Sequence, residues 1–262
     1  MAKTPRWKQV SYADGFMHIR LSSWKYFHDY IRQEFLDFPN YVWRGQRDAI
    51  WPLETSLDRA LRGTPVSGRP ALVRRHFGKF KLASRGRRGS NPQKIESENE
   101  WWAIAQHNGM ATPLLDWTES PFVALYFAFH KDTSPASGER AVWALGGGEI
   151  TKINRRIKAS HTGDDPPILE YIRPSQDENA RLVAQGGLFT KTPLQITVDK
   201  WVTSNFTSTS GEACLVKISI PTADRPQCLR TLNRMNINHL SLFPDLFGAG
   251  AHCNAALQIK GY

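Results

Sequence analysis

The stretch QHNGMATPLLDWTESPFVALYFAFHK, residues 106–131, places a polar, turn-rich segment directly before an almost wholly apolar run. Ser120 followed by Pro121 predicts the start of a helix, because serine is a favoured N-cap and proline is tolerated in the first helical turn. The run FVALYFAF is apolar on every face, and a helix of that kind belongs in a hydrophobic core. The residues just before it therefore approach the N-terminus of a buried helix, where partial positive charge accumulates.

Five residues on this approach are candidate site residues: His107, Asp116, Trp117, Thr118 and Ser120. A helix N-terminus with such neighbours can hold a phosphate or polarise a carbonyl. A structural role explains the same residues equally well, with Thr118 and Ser120 as helix caps and Asp116 as the partner of Arg44 or His107. Perturbed ionisable groups occur at both kinds of position, so the stretch alone leaves both interpretations open.

Upstream, NYVWRGQ (residues 40–46) is short, β-branched and aromatic, which predicts a strand that ends in a turn. It contributes Trp43, Arg44, Gly45 and Gln46. An arginine here can offer a planar fork of donors to a phosphate or carboxylate, and the glycine permits close approach of a ligand or another backbone. The alternative is a buried Arg44 that forms a structural ion pair with Asp58 or Asp116.

Downstream, RLVAQGGLFT (residues 181–190) is predicted as a strand that Gln185, Gly186 and Gly187 interrupt with a bulge or close approach. On an extended strand Arg181 and Gln185 share a face. In NHLSLFPDL (residues 238–246), cap chemistry explains the serine and aspartate, and no nucleophile elbow supports a Ser-His-Asp triad.

The remaining elements mix without the regular alternation of a doubly wound sheet, which favours the α+β class. No internal repeat or linker is evident, so we expect a single domain over residues 1–262, with its core at 20–250 and a basic helical or loop insertion at 63–96. Predicted helices cover 22–36, 53–63, 97–109, 198–206, 225–235 and the residues after 246, and predicted strands cover 112–117, 140–146, 167–173 and 213–220.

The net charge of +10 is concentrated in one segment, because residues 69–94 contain nine basic residues and no acid. A basic block of this kind suggests a partner that carries phosphates, such as nucleic acid. The alternative is a solvated surface loop. The candidate nucleic-acid contacts are Arg74, Arg75, Lys79, Arg85, Arg87 and Arg88.

The sequence predicts a cytoplasmic protein without a membrane segment or a metal site. No apolar run reaches the roughly 18 residues of a membrane span, and the N-terminus lacks the apolar middle of a secretory signal. The three cysteines, Cys214, Cys228 and Cys253, are widely spaced and form no C-x-x-C pair, which argues against a zinc site or a disulfide framework.

In order along the chain, YVWRGQ, WPLETSLDR, AQHNGMATPLLDWTESPFVALYFA, ARLVAQGGLFT and LSLFPDL together resemble the FRG domain family. The resemblance extends from about residue 20 to about residue 250. The Phe-Arg-Gly that names the family is Trp43-Arg44-Gly45 here, so an aromatic residue is retained. The resemblance defines a domain more than a reaction.

A second resemblance, to mono-ADP-ribosyltransferases, implies a chemistry and a split-sheet core. Those enzymes carry an arginine followed by glycine on an early strand, and a later strand with Ser or Thr leads into a helix of pattern A-x-x-F-A, as in DWTESPFVALYFA. The resemblance implies NAD as substrate, with Arg44 on the pyrophosphate. It also implies Thr118 and Ser120 at the nicotinamide ribose or amide, and Trp117 or Tyr126 stacked on the nicotinamide.

The expected catalytic glutamate is missing from this resemblance, because Gln185 stands near its place and the nearest acids are Glu178 and Glu212. Either another carboxylate serves, or the protein binds a nucleotide without turnover. The resulting catalytic candidates are Arg44, His107, Asp116, Thr118 and Gln185. The resulting NAD-binding candidates are Trp43, Arg44, Gly45, Gln46, Trp117, Ser120, Tyr126 and Arg181.

Three functions follow as hypotheses. The first is an NAD-dependent mono-ADP-ribosyltransferase-like toxin or defence enzyme that modifies nucleic acid and has a neutralising partner protein. The second is a nucleic-acid-binding or nuclease-type defence protein in which Arg44, His107 and Arg181 contact phosphates. The third is a non-catalytic regulatory module.

Overall fold

The computed structural model describes residues 5–92, 94–174, 180–207 and 213–262. Within these ranges, eight strands form one sheet in the order β1-β2-β8-β5-β3-β4-β7-β6, and only β2 and β8 run parallel. The strands are β1 (Trp7–Ala13), β2 (Phe16–Leu21), β3 (Tyr41–Gln46), β4 (Leu114–Thr118), β5 (Glu139–Gly146), β6 (Glu170–Ile172), β7 (Gly187–Lys191) and β8 (Leu215–Pro221).

The same ranges hold eleven α-helices, so the predicted α+β class is confirmed. Among them, no helix combines the length and the apolar character that a membrane span needs. The helices are α1 (Phe27–Glu34), α2 (Ser56–Ala60), α3 (Arg69–Ala83), α4 (Glu98–His107), α5 (Pro121–Phe129), α6 (Gly147–Ser160), α7 (Ala180–Ala184), α8 (Val198–Asn205), α9 (Arg225–Arg234), α10 (His239–Leu242) and α11 (Leu246–Gln258).

Hydrophobic clusters cover both faces of the sheet. Trp43 on β3 joins a cluster with α1, α5 and α9, whereas its neighbour Val42 joins a second cluster with α6 and α8. This division follows from the pleat, which sends successive side chains to opposite faces. A third cluster, around Trp102 of α4, covers Leu114 and Phe189 at the β4–β7 side of the sheet.

The predicted starts of two helices are confirmed. The Ser120 hydroxyl accepts a hydrogen bond from the Val123 amide at 3.3 Å and caps α5, which is largely buried. Ser97 and Glu100 form the predicted capping box at the start of α4. Both signals act within one helical turn, so the sequence carries them without reference to the rest of the fold.

The predicted strand over residues 181–190 is wrong in its first half. Residues 180–184 form α7, the Gln185 amide donates to the Arg181 carbonyl at 3.1 Å, and β7 begins only at Gly187. Gly186 links the helix to the strand with a φ of +53°, a conformation that glycine adopts without strain. Alanine, arginine and leucine are strong helix formers, and here that preference prevails over the strand pattern.

Candidate functional site

A break in the sheet organises the site. Strands β3 and β4 are antiparallel, and within the described part of the chain they pair at one position, Trp43 with Thr118. On either side of this bridge the two strands diverge. Beyond the carboxyl end of β3, the Arg44 side chain spans the gap, and its Nη1 donates to the main-chain carbonyl of Asp116 at 2.6 Å.

The gap at Arg44 is the floor of a cavity of about 300 Å³. The structure here brings together seven of the candidate residues from three distant segments of the chain. The lining residues are Trp43, Arg44, Gly45, Asp116, Trp117, Thr118, Phe127, His130, Gln185 and Phe243. The volume lies near the lower end of the range for small-molecule sites, which suits one half of a dinucleotide better than the whole.

Arg44 supplies the positive charge of this cavity. Its side chain is 21% exposed, and its Nη1 lies 3.7 Å from Asp116 Oδ2. Its Nε is buried and has no hydrogen-bond partner among the described residues. Burial lowers the pKa of the guanidinium and the Asp116 carboxylate opposes that change, so Arg44 remains a cation at neutral pH.

Asp116 is the ion-pair partner that the sequence left open. Asp58 is engaged elsewhere, because its carboxylate accepts hydrogen bonds from the Thr55 hydroxyl and the Gln195 amide. The Asp116 side chain is 60% exposed. Its Oδ2 accepts a hydrogen bond from Gln106 Nε2 at 3.0 Å, so the carboxylate is oriented while it stays accessible to a ligand.

Thr118 and Gln185 position the opposite wall. The Thr118 hydroxyl donates to the Gln185 carbonyl at 2.6 Å and accepts from the Ser120 amide at 3.1 Å. The Gln185 side-chain amide donates to the Leu242 carbonyl at 3.0 Å. Because the proton of the Thr118 hydroxyl is committed to this network, its observed role is to tie the end of β4 to the turn before β7.

Five candidate residues do not line the cavity. Ser120 caps α5, and the buried Gln46 accepts from Trp143 Nε1 at 2.7 Å and donates to the Pro52 carbonyl at 3.0 Å. The buried Tyr126 hydroxyl is hydrogen-bonded to His239 Nδ1. These three side chains therefore have structural partners that account for their positions.

The other two, His107 and Arg181, lie near each other outside the cavity. Arg181 forms an ion pair with Asp245 and lies over the Phe243 and Phe247 rings, 5.6 Å from each centroid. His107 is the exposed last residue of α4; partial burial of its ring and then the charge of Arg181 lower its pKa. Glu178 and Glu212 fall outside the described residues.

The sequence analysis missed three residues of the wall: Phe127, His130 and Phe243. His130 Nδ1 donates to the Phe127 carbonyl at 3.0 Å, which leaves Nε2 as the acceptor nitrogen of the ring. Burial lowers the pKa of His130 to about 4, so the ring is neutral at pH 7. The only local signal for His130 was its place at the end of the apolar run, where a polar residue meets the last helical carbonyls.

The basic segment lies on α3 and the loop after it. No residue of α3 is buried, although Phe77 stacks on Trp102 of α4 with ring centroids 4.3 Å apart. Lys81 and Arg88 lie over the Trp101 ring at 5.5 and 5.4 Å. The remaining candidate cations of the segment, all exposed, are Arg74, Arg75, Lys79, Arg85 and Arg87.

The fold and the site thus define an α+β protein with an arginine-floored cavity at a break in its sheet. Residues 39–137 match the family model of the FRG domain, so the chain contains an FRG domain. This range holds Arg44, Asp116 and His130, whereas Gln185 and Phe243 lie beyond it. In comparisons of the whole chain, no curated protein and no solved structure gave a match, and the resemblance to ADP-ribosyltransferases is not confirmed.

Proposed function

We propose that the Arg44 cavity binds NAD and that the protein transfers its ADP-ribose to an acceptor. The observation that carries this proposal is a half-buried arginine, with one unpartnered donor, on the floor of a cavity with aromatic walls. A guanidinium in that state favours a phosphate, which accepts several charge-assisted hydrogen bonds at once. In this arrangement Arg44 holds the phosphate next to the nicotinamide ribose.

The aromatic contact to nicotinamide falls to Phe127 and Phe243, which are half-buried and line the cavity. Trp117 is less suited to stacking, because it is 3% exposed and its Nε1 donates to the Thr190 hydroxyl. The neutral His130 ring offers Nε2 as an acceptor for an amide or hydroxyl donor of the ligand. The site would therefore recognise an aromatic amide and a phosphate together.

Asp116 is the carboxylate proposed for the chemical step. Among the described residues that line the cavity, no other is acidic. In the reaction the ribose C1′–N bond breaks, the electron pair leaves with nicotinamide, and a nucleophile on the acceptor bonds to C1′. The developing positive charge on the ribose is stabilised by a nearby carboxylate oxygen, a contribution of about 3 kcal/mol for one well-placed group.

The proposal is tested by NAD binding, measured calorimetrically, and by nicotinamide release. We expect Arg44→Gln to weaken NAD binding by at least about tenfold, because a charge-assisted contact is lost. We expect Asp116→Asn to retain binding but to slow release by about a hundredfold. Arg32→Gln, which removes an exposed arginine from α1, is the control for net charge. Equal NAD binding by the wild type and Arg44→Gln would refute the assignment of the cavity.

A further inference from the structure

The bridge between Trp43 and Thr118 leaves a second opening at the other end of the break. Here the amino end of β3, the residue after β4 and the start of α6 enclose a cavity of about 590 Å³, larger than the one at Arg44. The residues that matter for its chemistry are Glu119, Gly147, Gly148, Tyr171 and Arg173. None of them lines the Arg44 cavity.

The floor of this second cavity is the N-terminus of α6, a helix of 14 residues. Its N-cap is Gly146, which has no side chain to accept a hydrogen bond from the first turn. The Gly147 amide donates to the Asn40 carbonyl at 2.8 Å. The next amides, of Gly148 and Glu149, belong to the group that a helix cannot satisfy internally, and the helix dipole adds partial positive charge there.

A buried hydroxyl lies at the same place. The Tyr171 hydroxyl is buried and has no hydrogen-bond partner among the described residues. A methyl group built on Gly147 would lie 4.0 Å from this oxygen, so the hydroxyl stands beside the first residue of α6. Burial raises the pKa of Tyr171, so the hydroxyl keeps its proton and can donate it.

A buried hydroxyl without a partner destabilises the folded chain by about 1–3 kcal/mol. Such a group beside the free amides of a helix points to an acceptor that is present when the protein is occupied. The nearby acids do not oppose this, because Glu119 is paired with Arg173 and Glu149 with Lys152. Arg173 is 61% exposed, so it can also turn towards a ligand.

We propose that the N-terminus of α6 and the Tyr171 hydroxyl form a binding site for the phosphate group of a small molecule. The amides of Gly148 and Glu149 donate to the phosphate oxygens from one side and Tyr171 from another, with Arg173 at the open rim. The site is separate from the Arg44 cavity, and the proposal does not depend on NAD chemistry at Arg44.

Calorimetric titration with pyrophosphate tests the site, in an Arg44→Gln background that removes the charge of the other cavity. We expect Tyr171→Phe to weaken pyrophosphate binding by about tenfold, because a hydrogen bond to a charged group is lost. Gly148→Glu should abolish binding, because its carboxylate occupies the helix N-terminus. Gly148→Ala is the matched control: its methyl group meets open space and its amide is retained.

Two further measurements make the outcome specific to this place. In amide NMR spectra, pyrophosphate should shift the Gly148 and Glu149 signals in the parent protein and not in Gly148→Glu. Without ligand, Tyr171→Phe should melt no lower than its parent, because it removes an unsatisfied hydroxyl.

Separate titrations with inorganic phosphate, ADP and adenosine identify the source of the phosphate. Tighter binding of ADP than of pyrophosphate, with no binding of adenosine, indicates a nucleotide; equal binding of ADP and pyrophosphate indicates recognition of the phosphates alone. The proposal is overturned if no phosphate probe binds at millimolar concentration, or if Tyr171→Phe and Gly148→Glu both bind as tightly as their parent.

Discussion

At the scale of single residues, two inward-pointing arginines of this protein differ in access rather than in hydrogen bonding. Arg140 is fully buried and donates to the carbonyls of Ala128, Lys131 and Thr133 at 2.7, 3.1 and 3.2 Å. Arg44 is 21% exposed and lines a cavity. Each leaves its Nε unpartnered. Access to a cavity therefore marks Arg44 as the arginine for a ligand and Arg140 as a structural one.

His130 makes the stability of the protein depend on pH. Burial lowers its pKa from 6.5 to about 4, so the unfolded chain binds a proton that the folded chain does not. Stability is fully present above about pH 6.5 and is lost as the pH falls towards 4. Between pH 7.5 and pH 5 we expect His130 to reduce the free energy of unfolding by about 2 kcal/mol.

Urea unfolding at those two pH values measures the effect. His130→Gln should show a smaller loss than the wild type, although not a zero loss, because burial also lowers the pKa of His18 to about 4. An identical pH dependence in the wild type and in His130→Gln would show that the His130 ring titrates as it does in water.

At the scale of elements, α5 is fixed at both ends and pressed against β3. Ser120 caps its N-terminus, while Arg140 and Arg225 take the carbonyls of its last turn; Arg225 Nε donates to Phe129 O at 2.8 Å. Cations at the end of a helix also interact favourably with its dipole. Since Phe127 and His130 lie on this part of α5, the aromatic wall of the cavity is held in a defined position relative to Arg44.

Gly45 permits this contact between strand and helix. A methyl group on Gly45 would lie 2.0 Å from the Ala124 carbonyl oxygen and 2.5 Å from the Ala128 nitrogen. Gly45→Ala should therefore force β3 and α5 apart and lower the free energy of unfolding by about 3 kcal/mol or more. Thermal and urea unfolding measure the change.

The matched control is Gly78→Ala in the middle of α3, where a methyl group meets open space. This change should stabilise the protein by up to about 1 kcal/mol, because alanine is the better helix former. A Gly45→Ala protein as stable as the wild type would show that strand and helix are not in close contact.

At the scale of the whole molecule, the excess positive charge is confined to one region. The side chains of the basic segment 69–94 project from α3 and the following loop, and Lys81 and Arg88 lie on the face of Trp101. We propose that this surface binds nucleic acid through its phosphates, as counterion release favours. It could present an acceptor for ADP-ribose, which would link the two parts of the protein in one activity.

Combined replacement of Arg85, Arg87 and Arg88 by glutamine should weaken binding to DNA or RNA and reduce its salt dependence by a slope of up to about 3. Stability should change by less than about 1 kcal/mol, since one cation–π contact is lost. Binding titrations at two salt concentrations measure both effects.

A triple replacement of the exposed Arg32, Arg155 and Arg234 by glutamine removes the same charge elsewhere and should change binding much less. Equal loss in the two triple variants would show that net charge alone governs the interaction and that the basic segment is not a specific surface.

Local chemistry made part of this structure predictable from the sequence. The caps at Ser97 and Ser120 were readable because their partners lie three residues away, and Arg44 and Asp116 were paired as candidates because both stand at strand ends. The hairpin of β1 and β2 was missed although Asp14-Gly15, with φ of 49° and 72°, is a strong hairpin signal.

The rest depends on contacts between distant segments. Phe243 reaches the cavity from the loop after α10, and no periodicity of the sequence encodes that approach. The second cavity combines the start of α6 with Tyr171 of β6, although these elements belong to separate parts of the chain. Residues 181–184 satisfy helix and strand preferences alike, so local pattern alone could not assign them.

The single bridge between Trp43 and Thr118 makes the sheet mechanically uneven. Two rigid halves, one ending at β3 and the other beginning at β4, meet along a seam where few ladder hydrogen bonds resist sliding or twisting. The Arg44 contact to the Asp116 carbonyl is a polar link across that seam. A ligand that draws the guanidinium away would remove this link, so filling one opening would be felt as a change of shape at the other.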